Sequence, residues 1–409
     1  MRLPVVTLLL STSAAAFAAE SKPDPAALLA AHTRPFAYTA EGLSGPGADF
    51  LRSRTAGSQF VLLGESHMDH ATPVFAGGLF AFLHDTHGFR HLVVEQDPVA
   101  MEDTLAPERR GDADKLAAHA KRHPTLFEFD SDEDLAFLAQ VGRRVAGPDA
   151  IWGVEQTTGA ARYLEELAAL APNAAAKAKA EELLAAANAA DPGPKYSVNW
   201  LANLGTPARL EELAAAFAAP ADSRTGRLIA GLLKSAEVFG YYTRANAGEY
   251  VGLYNNTVRE EVLKANFLRR YHAAARDGAL PKALFKFGSN HLYRGRNPTQ
   301  AYPIGNLAHE FAIVNGHDAC GLYVMPLGPG YASYKDFPAW LQPFLPPVEP
   351  TEPVIVDLRP LRPYQRLFRE GLDPKHVEDY RTFVNGYDAL VLLPGSKPAT
   401  KLLGGRSGY

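Results

Sequence analysis

The sequence has one cysteine, Cys320, among its 409 residues. A single cysteine excludes an internal disulfide and any cysteine-rich metal site. The residues around it, Ala319-Cys320-Gly-Leu-Tyr-Val, are mostly apolar, so we expect Cys320 to be a buried strand residue.

Several other patterns are missing. There is no long basic run, and the net charge is −4 with a pI near 6.4, so we expect no nucleic-acid partner. No His-Glu-x-x-His segment is present, which leaves zinc without a local signature. The absence of Gly-x-Ser-x-Gly disfavours an ordinary serine hydrolase.

The first residues have the pattern of a secretory signal peptide. Met1-Arg2 precedes a short apolar run, and Ala16-Phe17-Ala18-Ala19 has the small residues of a cleavage site. We therefore predict a signal peptide over residues 1–19 and a soluble, exported protein, most simply periplasmic. No later stretch is long and apolar enough to span a membrane, and no cysteine lies near the cleavage site to carry a lipid anchor.

Short apolar runs alternate with helical patterns over much of the chain, and 47% of the residues are hydrophobic. This rhythm predicts an α/β fold with a mainly parallel central sheet flanked by helices. A helix over 73–87 joins the first two predicted strands. The predicted strands are 59–63, 91–95, 150–155, 283–287, 321–325, 353–357 and 389–393.

We interpret residues 20–409 as a single α/β domain, with core strands within about 59–155 and 283–395. From about 160 to 240 the composition shifts to Ala, Leu, Glu and Lys, which predicts a helical insertion interrupted at its prolines. Another helix is predicted over 247–275, and residues 22–58 are mixed and polar with one short helix over 25–32.

Two distant predicted strands end in the same way. Phe60-Val-Leu-Leu-Gly64 continues to His67, and Leu284-Phe-Lys-Phe-Gly288 continues to His291, so each gives Gly-x-x-His. Ligands bind at the carboxyl edge of open α/β sheets. We therefore expect the two histidines to face one cleft at this edge.

Carboxylates also follow the predicted strand ends. Glu65 precedes His67 by two residues, and Glu95 and Glu155 close the second and third strands. Residues two apart in an extended segment point the same way, so Glu65 and His67 are placed to act together. Each glutamate on its own equally fits an ordinary solvated loop residue.

The helix after the insertion has a polar stripe. Asn255, Arg259 and Asn266 share one face, with Tyr254 just before them. A guanidinium group near carboxylates keeps them ionised and can bind an oxyanion. Such a stripe is also typical of a solvated helix surface.

These motifs resemble the superfamily of the erythromycin esterases, the Tiki and TraB metallopeptidase-like proteins and the ChaN-like haem-uptake proteins. The paired Gly-x-x-His motifs with Glu95 resemble Tiki, and Val61-Leu-Leu-Gly-Glu-Ser-His67 resembles ChaN. Arg259-Glu260-x5-Asn266 and Gly288-Ser-Asn-His291-x2-Arg294-Gly295 resemble the erythromycin esterases. The resemblance covers roughly residues 59–325.

From these residues we predict a hydrolase that activates water on an ester or amide of a small molecule or peptide. The predicted catalytic residues are Glu65, His67, Glu95, Arg259 and His291. The predicted substrate-binding residues are His70, Glu155, Tyr254, Asn255 and Arg294.

The sequence leaves the chemistry open. In a metal-free version His67 removes a proton from water, and Arg259 and His291 stabilise the oxyanion. In a metal-dependent version His67, Glu95 and His291 bind a divalent cation. The alternatives are a periplasmic protein that binds haem or a metal through its histidines, including His70, and an inactive scaffold.

Overall fold

The computed structural model describes residues 22–123, 126, 129–145, 147–192, 198–275, 279–329 and 332–400. The predicted signal peptide lies outside these residues. The strands, in chain order, are β1 (Thr33–Pro35), β2 (Ala37–Thr39), β3 (Gly42–Ser44), β4 (Ser58–Glu65), β5 (His91–Val94), β6 (Ile151–Gly153), β7 (Ala283–Gly288), β8 (Asp318–Pro326), β9 (Val354–Asp357) and β10 (Ala389–Leu393).

Helices surround the sheet and form the insertion. They are α1 (Pro25–Ala31), α2 (Pro46–Thr55), α3 (Ala71–His87), α4 (Pro98–Thr104), α5 (Ala113–Arg122), α6 (Asp132–Arg144), α7 (Ala160–Ala169), α8 (Ala174–Ala190), α9 (Val198–Asn203), α10 (Pro207–Phe217), α11 (Arg224–Asn246), α12 (Tyr254–Ala274), α13 (Ile304–Val314), α14 (Gln365–Phe368) and α15 (Val377–Gly386). Among the described residues, none of the helices is both long and apolar enough to cross a membrane.

Eight strands form the main sheet, in the order β1-β9-β10-β8-β4-β7-β5-β6. The six strands from β10 to β6 are parallel to their neighbours, and β9 and β1 pair antiparallel at one edge. All seven predicted strands are present. The predicted fold class, a mainly parallel sheet flanked by helices with an Ala-rich helical insertion, is confirmed.

The first two predicted strands lie in the same sheet, but they are not neighbours. Strand β7 lies between β4 and β5 and is parallel to both. Its register places Gly288 opposite Glu65 and Lys286 opposite Val94. The two Gly-x-x-His segments therefore leave the sheet side by side.

Alternate residues of β4 enter apolar layers on the two faces of the sheet, because successive side chains of a strand point in opposite directions. Val61 packs in one layer with Phe75 of α3. Phe60 packs in the other with Phe267 of α12, with the ring centroids 5.8 Å apart. Burial on both faces explains why this strand is apolar nearly throughout.

The insertion has an apolar core of its own. Leu164 of α7, Leu183 of α8, Trp200 of α9, Leu213 of α10 and Leu232 of α11 are all buried in it. Asn173, Thr206 and Ser223 cap the N-termini of α8, α10 and α11 with their side chains. Local caps and a shared apolar stripe thus explain why this alanine-rich segment folds as packed helices.

The sequence prediction was wrong in two places. The helix predicted over 247–275 begins only at Tyr254, because Gly248 and Gly252 adopt positive φ angles of 86° and 56° and separate it from α11. In the segment before β4, helix α2 and strands β1 to β3 were not predicted. Three-residue strands are too short to show a periodic pattern.

Candidate active site

Side chains from several strand ends and from α12 meet at the carboxyl edge of the sheet. Glu65 is the last residue of β4, Glu95 follows β5, and Glu155 follows β6. His291 lies in a 3₁₀ helix, Ser289–Leu292, directly after β7. Parallel strands end at one edge, and for this reason residues distant in sequence become neighbours here.

Glu95 is the centre of this cluster. Its Oε2 accepts a hydrogen bond from the Gly288 backbone N–H at 2.7 Å and lies 3.6 Å from His67 Nε2. Its Oε1 accepts a hydrogen bond from Arg259 Nη2 at 2.7 Å and lies 3.2 Å from His291 Nε2. Burial alone would raise the pKa of Glu95, but the charge of His291 and its other cationic neighbours hold that pKa well below its usual range.

Glu65 orients His67. The Nδ1 atom of His67 lies 3.2 Å from Glu65 Oε1, and the ammonium group of Lys286 donates a hydrogen bond to the same oxygen at 2.8 Å. Burial of Glu65 favours its neutral form, yet the charge of Lys286 and the contact with His67 lower its pKa. With Nδ1 held by a carboxylate, the Nε2 atom of His67 is directed toward Glu95 and the cavity.

His291 contacts a carboxylate on each side of its ring. Its Nδ1 is 2.5 Å from Glu260 Oε1, and its Nε2 faces Glu95. Burial would lower its pKa, but Glu95 and Glu260 raise the pKa of His291 to about 10. At neutral pH the ring is therefore a cation that donates both N–H groups. Glu260 is itself held by the backbone N–H of Ile304 at 2.7 Å.

Arg259 reaches the cluster from α12. Its Nη2 is 2.7 Å from Glu95 Oε1 and 2.5 Å from Glu155 Oε2, and its Nε also donates to Glu155. Two turns along the same helix face, the Asn266 side chain donates to the carbonyl of Val154 at 2.9 Å. The polar stripe of α12 thus faces the sheet edge.

The cluster opens into a cavity of about 390 Å³. Besides the cluster, Ser66, Asn290, Tyr323 and Met325 line it. The side chain of His67 is 26% exposed, compared with 11% for His291. Of the two imidazoles, His67 is therefore the more accessible to a molecule entering from solvent.

The charges of the cluster determine whether it can hold a metal ion. Ligand atoms of Glu95, Glu155 and His291 lie within 4.8 Å of one another, and all three residues are buried. The guanidinium group of Arg259, however, already bonds both carboxylates, and both ring nitrogens of His291 contact carboxylates. A metal ion would have to displace the guanidinium group from both glutamates, so the set fits a metal poorly.

Some predicted substrate-binding residues lie outside this cavity. His70 is at the start of α3, where its Nε2 is 3.8 Å from Glu133 Oε1. The ring of Tyr254 packs against Tyr241 with centroids 5.5 Å apart, and Asn255 is buried one turn before Arg259. None of these three is among the residues that line the cavity.

Arg294 is also separate from the cavity. Its backbone N–H donates to the carbonyl of Gly386, and its guanidinium group lies 3.4 Å from Asp388 and 3.1 Å from His309 Nδ1. Asp388 immediately precedes β10, so this ion pair lies near the amino end of a parallel strand. Arg294 was predicted from its place in the motif that resembles the erythromycin esterases, but its guanidinium group lies beside Asp388 and His309 instead.

The sequence prediction missed Lys286, Glu260 and Asp134. Lys286 is 2% exposed and contacts Glu65 and Asp134, at 2.8 Å and 3.1 Å. A lone lysine in the apolar run Leu284-Phe-Lys-Phe was a signal, because a buried charge needs a partner. Glu260 stood beside Arg259 in a recognised motif. Asp134 had no local signal, since only the folded chain brings it to Lys286.

No protein-family model and no curated protein matches this chain. Several solved structures match it in fold. A histidine-to-asparagine mutant of erythromycin esterase EreC in its open conformation aligns with a TM-score of 0.56 and 14% identity, over 90% of this chain and 99% of that one. The chain has the erythromycin esterase fold.

Two further structures share this fold. A protein from Bacillus cereus aligns with a TM-score of 0.55 and 14% identity, over 92% of this chain and 98% of that one. A succinoglycan biosynthesis protein aligns with a TM-score of 0.55 and 12% identity, over 92% and 97%. The predicted resemblance to the erythromycin esterases is thus confirmed for the fold, over nearly the whole chain.

Proposed function

We propose that the protein is a hydrolase in which His67 activates water for attack on an ester or amide. The observation that carries this proposal is the setting of His67. Its Nδ1 faces the ionised Glu65, and its Nε2 faces an open cavity beside two cations, Arg259 and His291. A base held by a carboxylate next to preorganised positive charge can hydrolyse a carbonyl group without a metal ion.

The proposed steps use only these side chains. Nε2 of His67 takes a proton from water, and the resulting hydroxide forms a bond to the carbonyl carbon of the substrate. The carbonyl oxygen becomes an oxyanion, which the guanidinium group of Arg259 stabilises. His291 contributes through its positive charge, because both of its N–H groups are bound to carboxylates. When the intermediate collapses, the bond to the leaving group breaks and His67 returns its proton to that group.

Glu95 and Glu65 have different roles in this proposal. Glu65 accepts the Nδ1–H of His67, which fixes the ring tautomer and stabilises the charge that develops on the ring. Glu95 holds Arg259 and His291 in place, because its Oε1 bonds both of them. The structural neighbour EreC is named as an erythromycin esterase, which supports an ester as the substrate class.

Two other proposals concern the whole chain. The predicted signal peptide supports export, and we propose a periplasmic location for the mature protein. We also propose that residues 20–409 form one α/β domain with a helical insertion. Fractionation of expressing cells, together with the N-terminal sequence of the purified protein, tests the first. A single cooperative unfolding transition supports the second.

The geometry favours hydrolysis over haem binding. Most side chains that line the cavity are polar, whereas binding sites for large flat ligands are mainly apolar. His291 has both ring nitrogens on carboxylates, and Tyr254 packs on Tyr241 and does not line this cavity. A haem titration followed by its Soret band checks this preference.

The test of the proposal is turnover of a panel of chromogenic esters and anilides by the purified protein. We expect His67→Ala to lower kcat/KM by a factor of about 10² to 10⁴, the range of general base catalysis. His84→Ala is the matched control, since His84 is a partly exposed histidine on α3 that pairs with Asp85. Equal turnover by the wild type and His67→Ala would rule the proposal out.

A chelator separates the metal-free chemistry from its alternative. Because Arg259 and His291 supply the positive charge at Glu95, we expect incubation with EDTA to leave turnover unchanged within about twofold. Loss of activity that zinc or manganese restores would instead show that a metal ion replaces Arg259 on the carboxylates.

A further inference from the structure

A second and larger cavity, of about 560 Å³, lies between the helical insertion and α12. Its walls are mainly apolar. Val99 of α4, Tyr163 of α7, Ala230 of α11, and Val258 and Val262 of α12 all contribute to them. Cavities of roughly 300–1,000 Å³ with mainly apolar walls are typical sites for small organic ligands.

This cavity is adjacent to the proposed active site. Glu155, at the end of β6, lines the larger cavity, and Arg259 lines the smaller one. The same Nη2 atom of Arg259 is 2.5 Å from Glu155 Oε2 and 2.7 Å from Glu95 Oε1. The Arg259–Glu155 pair therefore forms the boundary between the two cavities, and Val258 and Val262 place the apolar wall next to it on α12.

The charges around the larger cavity have both signs. The positive charges are those of Arg227, Lys234 and Arg269, and the negative charges are those of Glu102, Asp222 and Glu261, together with Glu155. Apart from the buried Glu155, these side chains are exposed or partly exposed. Such a mixture does not select a polyanion or a polycation, so the apolar walls are the main source of affinity.

We infer that the larger cavity binds an apolar group of the substrate, and that the substrate is an ester or amide with one large apolar side. This inference rests on the proposed hydrolase function. The scissile carbonyl lies beside His67 and Arg259, and the apolar group extends past the Arg259–Glu155 pair toward Ala230. The helical insertion is then the element that determines which esters are cleaved.

Substitution of a wall residue tests the inference. Ala230→Trp adds a large ring at an exposed position of α11 that lines the cavity, so the core packing is retained. Ala265→Trp does the same from α12. Ala245→Trp is the matched control, because Ala245 is also an exposed alanine of α11 but does not line the cavity.

The substrates are 4-nitrophenyl acetate and 4-nitrophenyl octanoate, which differ only in the acyl chain. In Ala230→Trp and Ala265→Trp we expect kcat/KM for the octanoate to fall by about tenfold or more, through KM, with little change for the acetate. Ala245→Trp should match the wild type for both. Equal effects on the two esters, or no effect on either, would overturn the inference.

Binding of 4-nitrophenyl octyl ether, measured by calorimetry, separates this inference from the hydrolase proposal. The ether presents the same chain without a cleavable bond. Binding by the wild type and by His67→Ala, with loss in Ala230→Trp, supports the apolar subsite even if no ester is hydrolysed. Equal binding by the wild type and Ala230→Trp overturns the subsite even if esters are hydrolysed.

Discussion

The ammonium group of Lys286 lies 2.8 Å from Glu65 Oε1, and both side chains are almost completely buried. The same glutamate oxygen faces His67 Nδ1, so a buried lysine in the middle of the central sheet is connected to the accessible imidazole. Asp134 provides a second carboxylate at 3.1 Å from the ammonium group. Beneath the cavity, the buried positive charge of Lys286 is thus compensated by the carboxylates of Glu65 and Asp134.

Lys286→Met should weaken both the fold and the proposed catalysis. Without the ammonium charge, burial raises the pKa of Glu65, and a protonated Glu65 no longer offers His67 a negatively charged acceptor. Because Glu65 has a lowered pKa in the folded protein, its contribution to stability is present above its ordinary pKa of 4.5 and is lost as the pH falls. The substitution removes this contribution.

We expect Lys286→Met to lower the free energy of unfolding by about 3–5 kcal/mol, as for other broken buried pairs. The acid limb of kcat/KM should move to higher pH. Urea unfolding and a pH–rate profile measure the two effects. Lys282→Met is the control, because Lys282 precedes the same strand but donates to a backbone carbonyl, that of His87. A pH profile identical to that of the wild type would show that Lys286 is only structural.

The carboxyl edge of the sheet was predictable because its signals are local. Gly64, Gly288 and the apolar runs before them indicate strand ends, and parallel strands share an edge. The neighbour relation between β4 and β7 was not local, since β7 inserts between two strands that are consecutive in sequence. The contact of Lys286 with Asp134 depends on the position of β7 between β4 and β5 and on the packing of α6.

Glu260→Gln should shift the titration of His291. The pKa of His291 is raised to about 10 by Glu95 and Glu260, although burial opposes it. A raised pKa in the folded state stabilises the protein fully below the ordinary value of 6.5, and this stabilisation is lost as the pH rises through about 10. Removing the Glu260 charge therefore lowers the pKa of His291, and the stabilisation is lost at a lower pH, which we call the alkaline limit.

NMR titration of the His291 ring measures its pKa. Thermal unfolding is followed from about pH 6 to about pH 10, the interval between the ordinary pKa of a histidine and the raised pKa of His291. Glu261→Gln is a suitable control, because Glu261 is exposed on the same helix. If the alkaline limits of Glu260→Gln and the wild type coincide, the carboxylate does not hold His291 in its charged form.

Arg259→Lys tests whether the geometry of the guanidinium group matters as well as its charge. Arg259 bonds Glu155 through two nitrogens and reaches Glu95 with one of them. A lysine keeps the charge but cannot form this planar set of bonds. We expect kcat/KM to fall by about 10² to 10³, the cost of losing one oxyanion donor, with a smaller effect on KM.

Arg270→Lys serves as the control for Arg259→Lys. Arg270 lies on the same helix and pairs with Glu102 and with Asp149, whose side chain is mostly exposed. Because these partners are exposed or partly exposed and the lysine keeps the positive charge, its substitution should change the free energy of unfolding by less than about 1 kcal/mol. Wild-type kcat in Arg259→Lys would mean that positive charge alone is sufficient at this position.

The glycines of the two Gly-x-x-His segments leave room for close approach of neighbouring side chains. A Cβ atom at Gly288 would lie 2.6 Å from His67 Nε2 and 3.3 Å from Glu95 Oε2. At Gly64 it would lie 2.4 Å from the hydroxyl of Tyr387. The motif seen in the sequence therefore has a steric cause: a larger residue at Gly288 would occupy space that the cluster uses, and one at Gly64 would displace Tyr387.

Gly288→Ala should consequently impair turnover while the fold is kept. The φ angle of Gly288 is −52°, which alanine adopts without strain, so the clash is confined to the His67 ring and the Glu95 carboxylate. Displacement of His67 Nε2 from the cavity should lower kcat/KM by about 10². Gly42→Ala is the matched control, since a Cβ there meets nothing within 4 Å. Wild-type turnover by a correctly folded Gly288→Ala protein would show that His67 acts from another position than the one it occupies here.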